Sequence, residues 1–171
     1  MRDLNMVIPV YNEAEIIETV VTDWILVLAR LNINYRIKLY NDGSTDGTLE
    51  KLELLQREFP QKVEVYTKKN SGHGPTVLQG YRESLDATWL FQVDADNEIS
   101  ASNFPKFWEE RLNADLVIGD RKGRKSTFFR KLMTDMSYTV VRIFFGRGIT
   151  DTNVPYRLMR VASFERYLMQ V

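Results

Sequence analysis

Three acidic residues lie within five positions of one another in the segment QVDADNE, residues 92–98. Asp94, Asp96 and Glu98 follow the apolar run Trp89-Leu90-Phe91, which is typical of a buried strand. Carboxylates this close raise one another's pKa, and burying them is costly unless a cation is present. The segment therefore has two interpretations, a solvated turn or a site for a divalent cation.

The elements that would position these residues alternate along the chain. Strand patterns cover residues 4–10, 35–40, 62–67, 88–93, 114–120 and 154–159. Helical patterns cover residues 13–31, 46–59, 75–86, 101–112, 126–145 and 161–171. This order predicts an α/β fold, a Rossmann-like and mostly parallel sheet with helices on both faces. Ligands of such sheets bind in the crevice beyond the carboxyl ends of the strands.

Polar, charged or glycine-rich segments follow five consecutive predicted strands. They are PVYNE (9–13), NDGSTDGT (41–48), KKNSGHGPT (68–76), DADNE (94–98) and GDRKGRK (119–125). Each one alone is also typical of an ordinary turn, but five at one sheet edge predict a single ligand site. The glycine spacing of SGHGPTVLQG matches neither the G-x-G-x-x-G fingerprint nor a P-loop. His73, the only histidine of the chain, is in this segment, where a polar loop residue is the more common role.

Composition predicts one domain over residues 1–171, without disulfides because cysteine is absent. No signal peptide and no stretch of 18 uncharged apolar residues is found, which predicts a cytoplasmic protein. The chain ends inside a helical pattern without a cap, so we expect the protein to continue beyond residue 171.

Charge is divided unequally along the chain. Residues 1–119 have 12 Lys/Arg against 19 Asp/Glu, a net charge of −7, and residues 120–171 have 11 against 4, a net charge of +7. The last third is therefore expected to face an anionic partner such as a phosphate or a membrane surface. It lacks a helix-turn-helix or RRM signature, so we expect no nucleic-acid partner.

The segments VIPVYNE, NDGSTDGT, SGHGPTVLQG, VDADNE and GDR, in this order, resemble the family 2 glycosyltransferases, which have the GT-A fold. The resemblance extends from about residue 4 to about residue 160. ITDTNVPYRLMR (149–160) further resembles the D-x-T-x-G-F-R segment of dolichyl- and polyprenyl-phosphate sugar transferases, although Asn153–Tyr156 replace the usual Ser-Gly-Phe-type run. The resemblance implies inverting, metal-dependent transfer of a sugar from a UDP- or GDP-sugar to a lipid phosphate. A saccharide hydroxyl as acceptor, in cell-surface polysaccharide synthesis, and a non-catalytic nucleotide-sugar binding module are the alternatives.

The resemblance also implies residue roles. Asp94 and Asp96 form the D-x-D pair and, with Glu98, would hold Mg²⁺ or Mn²⁺, with Asp96 in direct contact. The nucleotide-sugar would bind Pro9, Tyr11, Glu13, Asp42, Gly72, Gly74, Thr76, Asp94 and Ala95. Phosphate groups of the donor or the acceptor would bind Arg121, Arg130 and Arg157. Asp151 would act as the general base for a hydroxyl acceptor or would orient Arg157, whereas a lipid phosphate would need no base.

Residues 126–147 combine an apolar helical stripe with basic residues. The stripe consists of Phe129, Met133, Met136, Val140 and Phe144, and the basic residues are Arg130, Lys131, Arg142 and Arg147. The pattern is typical of a core-facing helix and also of a helix that lies on an anionic membrane. The second interpretation predicts peripheral contact with the cytoplasmic face of a membrane.

Overall fold

A six-stranded sheet is at the centre of the computed structural model, which describes residues 1–119 and 154–170. The strands are β1 (Arg2–Val10), β2 (Tyr35–Asn41), β3 (Val63–Thr67), β4 (Ala87–Val93), β5 (Leu116–Ile118) and β6 (Tyr156–Arg160). The helices are α1 (Ile17–Arg30), α2 (Thr48–Glu58), α3 (His73–Arg82), α4 (Phe104–Glu109) and α5 (Val161–Leu168). Two 3-10 turns, Ala101–Asn103 and Glu110–Leu112, flank α4.

The strand order is β3-β2-β1-β4-β6-β5, and the first four strands of this order are parallel. At the centre, Val7 of β1 is paired with Lys38 of β2 on one side and with Gln92 of β4 on the other. β6 is antiparallel to both β4 and β5, so β5 has the same direction as β4. The structure confirms the predicted α/β class, and the carboxyl ends of β1 to β5 share one edge.

Both faces of the sheet are covered, which explains why the central strands are nearly continuous apolar runs. In β1, Met6 and Ile8 pack into the cluster beneath α1, whereas Val7 packs into the cluster beneath α3 and α5. The larger cluster is rich in aromatic rings, with Trp24 of α1 centred 5.4 Å from both Phe91 and Phe104. This packing fixes the end of β4, from which the acidic segment leaves the sheet.

Helix boundaries differ from the prediction. α1 begins at Ile17 rather than 13, and it is preceded by a turn in which the N–H groups of Ile16 and Ile17 both donate to the backbone oxygen of Glu13 (3.2 and 3.0 Å). α3 begins at His73 and ends at Arg82, earlier than the predicted range 75–86. The predicted helix 101–112 is divided into α4 and its two flanking turns, and the predicted helix 126–145 lies outside the described residues.

Gly80 lets α3 approach the sheet closely, and its replacement provides a test of this packing. A Cβ at Gly80 would lie 2.4 Å from Val7 Cγ1 and 3.1 Å from Tyr40 Cε2, both in buried side chains. We expect Gly80→Ala to lower the free energy of unfolding by about 1–3 kcal/mol, as overpacking does. The measurement is a urea titration.

Gly74→Ala is the matched control in the same helix. No heavy atom of the described chain lies within 4 Å of its added Cβ, so the higher helix propensity of alanine should leave stability unchanged or raise it by up to about 1 kcal/mol. If Gly80→Ala is as stable as Gly74→Ala, the result contradicts the close packing of α3 against the sheet at Gly80.

Candidate functional site

A pocket opens where the strand order changes direction. The chain goes from β1 to β2 and β3 on one side and then places β4 on the other side of β1, so a crevice forms beyond the ends of β1 and β4. The pocket has a volume of about 380 Å³, a size typical of small-molecule sites. Among the described residues, its lining consists of Pro9, Val10, Tyr11, Glu13, Asp42, Asn70, Gly72, His73, Thr76, Asp94, Ala95 and Asp96. We call it the donor pocket, because most of the residues predicted to bind a nucleotide-sugar donor line it.

The floor of the donor pocket is built around the buried carboxylate of Asp42, which directly follows β2. Oδ1 of Asp42 accepts hydrogen bonds from Lys68 Nζ and from the N–H of Ser71 (2.9 Å), and Oδ2 accepts one from the N–H of Gly72 (2.8 Å). Burial alone would raise the pKa of Asp42, but its hydrogen bonds, the largest from Lys68, outweigh burial and hold the pKa below its ordinary value. The ionised carboxylate therefore joins the loop after β2 to the loop after β3.

A glycine permits the close approach of these two loops. Gly43 has φ of +69°, a conformation that other residues rarely adopt, and a Cβ there would lie 2.7 Å from the backbone nitrogen of Asn70. The turn after Asp42 therefore requires glycine both for its backbone conformation and for space.

The loop after β1 is fixed by the loop after β2. The N–H of Asn12 donates to Ser44 Oγ (3.0 Å), and Asn12 Oδ1 accepts from the N–H of Thr45 (2.8 Å). Asp46 accepts from the N–H of Thr48 (3.0 Å), which orders the start of α2. These contacts hold Tyr11, which is 49% exposed, at the mouth of the donor pocket.

The acidic residues at the end of β4 share this edge with Glu13. Asp96 Oδ1 accepts the N–H of Glu98 (3.0 Å), in a turn with Asn97 at φ of +55°. Burial raises the pKa of Glu13, and the carboxylates of Asp96, Asp46 and Asp94 raise it further. Negative charge is thus concentrated between the ends of β1 and β4.

A chain of hydrogen bonds orients Asp94. The buried hydroxyl of Tyr81 donates to Gln92 Oε1 (2.8 Å), which turns the amide nitrogen of Gln92 toward Asp94 Oδ1 (3.3 Å). Nε2 of His73 donates to the same oxygen (3.0 Å), and this hydrogen bond, against the opposing effect of burial, raises the pKa of His73. Both side-chain donors bind Oδ1, so together they fix the orientation of the Asp94 carboxylate at the pocket.

The carboxylate oxygens at this edge are suitable ligands for a hard divalent cation that is bound together with a phosphate-containing ligand. Among the described residues, no three metal-ligating side chains are close enough to hold an ion by themselves. Mg²⁺ is usually bound by one or two carboxylates, with water and substrate phosphates completing its coordination. Asp94 and Asp96, with Glu13 nearby, supply oxygen ligands of this kind at the pocket wall.

The structure brings most of the predicted binding residues together. Of the residues predicted to bind the nucleotide-sugar, all except Gly74 line the donor pocket. Gly74 and Arg157 line an adjacent second pocket of about 410 Å³, and Glu98 lines neither. Arg157 is on β6, and its Nε donates to the backbone oxygen of Val154 (3.1 Å). Arg121, Arg130, Asp151 and most of the segment 119–125 lie outside the described residues, as does the segment 126–147.

Sequence reasoning missed several residues that shape the site. Val10 and Asn70 line the donor pocket, Lys68 binds Asp42, and Gln92 orients Asp94. Lys68 and Asn70 belong to the segment 68–76, which was predicted to border the site because it follows a strand. Nothing in the spacing of that segment indicates that Lys68 binds Asp42, 26 residues earlier in the chain. Gln92 had a detectable signal, a polar residue in an apolar strand two positions before Asp94, so that both face the same side.

Comparison with known proteins gives consistent matches. The sequence profile described as glycosyl transferase family 2 matches residues 6–168. A dolichol-phosphate mannosyltransferase from Pyrococcus furiosus is 32% identical over 146 residues, which are 82% of this chain and 40% of that protein. An undecaprenyl-phosphate 4-deoxy-4-formamido-L-arabinose transferase from Pectobacterium carotovorum is 24% identical over 163 residues, 94% of this chain and 49% of that protein. The chain therefore spans less than half the length of these relatives.

Solved structures share the fold at low sequence identity. A mannosyltransferase from Pyrobaculum calidifontis, in complex with GDP-Man and Mn²⁺, has a TM-score of 0.68 and 15% identity, covering 98% of this chain and 48% of that one. Mannosyl-3-phosphoglycerate synthase from Rubrobacter xylanophilus has a TM-score of 0.71 and 13% identity, covering 95% of this chain and 54% of that one. The predicted GT-A fold is thereby confirmed. Within residues 1–119 and 154–170, no helix has the length and apolar character needed to cross a membrane.

The depressed pKa of Asp42 predicts how stability depends on pH. A carboxylate whose pKa is lower in the folded state stabilises the protein above its unfolded-state pKa, and this contribution is lost as pH falls through the folded-state value. We expect Asp42→Asn to lower the free energy of unfolding by about 2–3 kcal/mol at pH 7. The difference from wild type should stay constant down to about pH 4, the ordinary range of aspartate, and then shrink.

Urea titrations of both proteins between pH 7 and pH 2.5 measure this difference. Asp23→Asn, on the exposed face of α1, is the matched control and should change stability little at any pH. A wild-type advantage over Asp42→Asn that persists undiminished to pH 2.5 would contradict the assignment of an ionised, stabilising Asp42.

Proposed function

The chain belongs to glycosyl transferase family 2, and from that premise we propose that it binds a nucleotide-sugar and a divalent cation and transfers the sugar to a lipid phosphate. The observation that carries the proposal is the donor pocket, in which Glu13, Asp42, Asp94 and Asp96 surround the strand-order switch of the sheet. Four carboxylates this close together repel one another, and a ligand that brings positive charge or hydrogen-bond donors would offset that repulsion.

The diphosphate of the donor would lie beside Asp94 and Asp96. Mg²⁺ or Mn²⁺ bound there would neutralise the charge that develops on the leaving nucleoside diphosphate. Gln92 and His73 would hold the Asp94 carboxylate at this position, because both donate to Oδ1. The short turn between Asp96 and Glu98 would hold the second carboxylate in place. Glu98 itself is proposed as a further ligand, in line with the family resemblance, although it does not line the pocket.

The nucleoside would occupy the part of the donor pocket between the loops after β1 and β2. Tyr11 presents a half-exposed ring that can pack on the base or the ribose, beside Pro9. Asp42 accepts hydrogen bonds from Lys68 Nζ and from the N–H groups of Ser71 and Gly72, and it lines the donor pocket, where it would also accept an N–H of the base. Gly72 and Thr76 line the same pocket near the start of α3.

The proposed acceptor is a lipid phosphate because both curated relatives described above are named for dolichol phosphate or undecaprenyl phosphate. An ionised phosphate oxygen is a ready nucleophile, so direct displacement with inversion at the sugar carbon requires no general base. Asp151 would then orient Arg157 rather than remove a proton. With such an acceptor the protein would act at the cytoplasmic face of a membrane, and residues 126–147 would make peripheral contact with that membrane.

Calorimetric titration with UDP, GDP, UDP-glucose and GDP-mannose tests the donor site, each in Mn²⁺ and in EDTA. We expect either the uridine or the guanosine nucleotides to bind, and we expect them to bind in Mn²⁺ but not in EDTA. Asp96→Asn keeps the oxygen that accepts the N–H of Glu98 but removes the charge, so affinity should fall by about tenfold or more, since even supporting residues of metal sites contribute this much.

Asp23→Asn is the matched control and should bind like wild type. Equal binding of the nucleotide by Asp96→Asn, or binding that is indifferent to EDTA, would contradict the proposed metal-bridged donor site. Absence of binding by wild type to both nucleotide series would overturn the proposed function for this chain.

A further inference from the structure

We infer that Gln92 and Tyr81 are positioning residues for the metal ion, because they hold the carboxylate of Asp94 in place from behind without lining the donor pocket themselves. The inference rests on the proposed function and concerns how its metal site is kept in order. The three residues form a buried network of hydrogen bonds that extends from α3 through β4 to Asp94. We call it the Asp94 network.

Gln92 is a polar residue in a strand that is otherwise apolar at this depth. It is 2% exposed and lies in β4, between β1 and β6. Leu90, two positions earlier on the same face, packs into the apolar cluster beneath α3, so packing alone does not call for an amide here. A buried amide is unfavourable unless its polar atoms are hydrogen-bonded. The Asp94 network provides a partner for each end of the Gln92 amide.

The direction of these hydrogen bonds is fixed by their neighbours. The hydroxyl of Tyr81 donates to Gln92 Oε1 (2.8 Å), and Gln92 Nε2 donates to Asp94 Oδ1 (3.3 Å). Burial raises the pKa of Tyr81 to about 12, against the charge and the side-chain hydrogen bond of Arg157, so the hydroxyl keeps its proton at neutral pH. A guanidinium only donates, so the hydroxyl accepts from Arg157 and directs its own proton to Gln92. Turning the amide over would set its oxygen against the carboxylate.

Gln92 and His73 are different kinds of partner for Asp94, although both donate to Oδ1. The side chain of His73 is 59% exposed and lines the donor pocket, so an entering ligand or water can replace it. Gln92 is buried and does not line that pocket. Gln92 is therefore the partner that Asp94 keeps when a ligand binds.

The packing of α3 anchors the other end of the Asp94 network. Tyr81 is 7% exposed and belongs to the apolar cluster that also contains Val7 and Val77. Its neighbour Gly80 lets the helix lie close against Val7, as described above. In a core packed at this density, the ring of Tyr81 has little freedom to turn away from Gln92. The position of α3 on the sheet thus determines the orientation of the Asp94 carboxylate.

Gln92→Met tests the positioning role, because it keeps the length of the side chain and removes its polar atoms. We expect the Mn²⁺ concentration that supports half-maximal binding of the nucleoside diphosphate to rise by about tenfold, as is usual when a residue behind a metal ligand is lost. The measurement is a calorimetric titration of UDP and of GDP at a series of Mn²⁺ concentrations. No acceptor is present, so a role in binding a second substrate would not contribute.

Tyr81→Phe tests whether the network acts as a unit. It removes one hydroxyl that touches neither Asp94 nor the donor pocket, and it should raise the Mn²⁺ requirement by about threefold, the effect of one ordinary hydrogen bond. In the Gln92→Met background the same change should have no further effect, because the hydroxyl then has no amide to direct. A merely structural role for Tyr81 would give the same loss in both backgrounds.

Stability, measured by urea titration, separates positioning from folding. The double variant Tyr81→Phe/Gln92→Met replaces both polar partners by apolar groups of similar shape, which is often neutral or stabilising. We therefore expect it to unfold at the urea concentration of wild type or a higher one, while its Mn²⁺ requirement is raised. Tyr40→Phe is the matched control. Tyr40 is fully buried in the same cluster and lies outside the Asp94 network, so its Mn²⁺ requirement should equal that of wild type.

The outcomes distinguish this inference from the proposed function. A raised Mn²⁺ requirement in Gln92→Met, with an effect of Tyr81→Phe that disappears in that background, supports both. An equal Mn²⁺ requirement in wild type and Gln92→Met, or an equal effect of Tyr81→Phe in both backgrounds, overturns the positioning role and leaves the donor site standing. If Gln92→Met does not fold, a Mn²⁺ requirement of Tyr81→Phe equal to that of Tyr40→Phe overturns the positioning role. Absence of nucleotide binding by wild type, or binding that is the same in EDTA, overturns the proposed function and this inference with it.

Discussion

Repulsion among carboxylates at one edge of the sheet is the constraint on which the rest of the structure depends. Glu13, Asp94 and Asp96 extend from the ends of β1 and β4, where burial and then the neighbouring carboxylates raise the pKa of Glu13. Such a cluster is stable only on a framework that is rigid for other reasons. A bound cation would relieve this repulsion, so the same charges would favour the proposed binding of a metal ion together with a diphosphate.

The framework comes from the two sides of the sheet. Aromatic packing around Trp24 and Phe91 fixes the end of β4, and the close contact of Gly80 with Val7 fixes α3 against β1. Hydrogen bonds at the edge then set each loop, with Asp42 joining the loops after β2 and β3. The acidic residues are thus held by interactions that do not need the ligand, which is the condition for a preorganised site.

The sequence predicted the convergence of the site because parallel strands place their carboxyl ends at one edge. Pro9, Asp42, Gly72 and Asp94 could therefore be grouped although they are far apart in the chain. The individual partners could not be predicted in this way. The contact of Lys68 with Asp42 depends on how two loops cross, and spacing along the chain contains no information about that.

Helix boundaries and strand directions were also harder to predict from the sequence, for a similar physical reason. The apolar periodicity of α1 extends toward residue 13, but residues 14–16 form a turn and the helix begins at Ile17, a difference that side-chain periodicity does not report. β6 is antiparallel between β4 and β5, and an apolar strand pattern has no direction. Gly74 was grouped with Gly72 by proximity in sequence, yet the first turn of α3 directs it to the second pocket.

The central proposal is that the carboxylates after β4 would hold a divalent cation beside the diphosphate of a nucleotide. Anomalous diffraction at the manganese edge, from crystals grown with Mn²⁺ and the nucleoside diphosphate that binds best, tests it most directly. We expect one strong anomalous peak beside Asp94 and Asp96, next to the diphosphate of the bound nucleotide. A nucleotide bound in the donor pocket without manganese beside these residues, or manganese bound elsewhere, would contradict it.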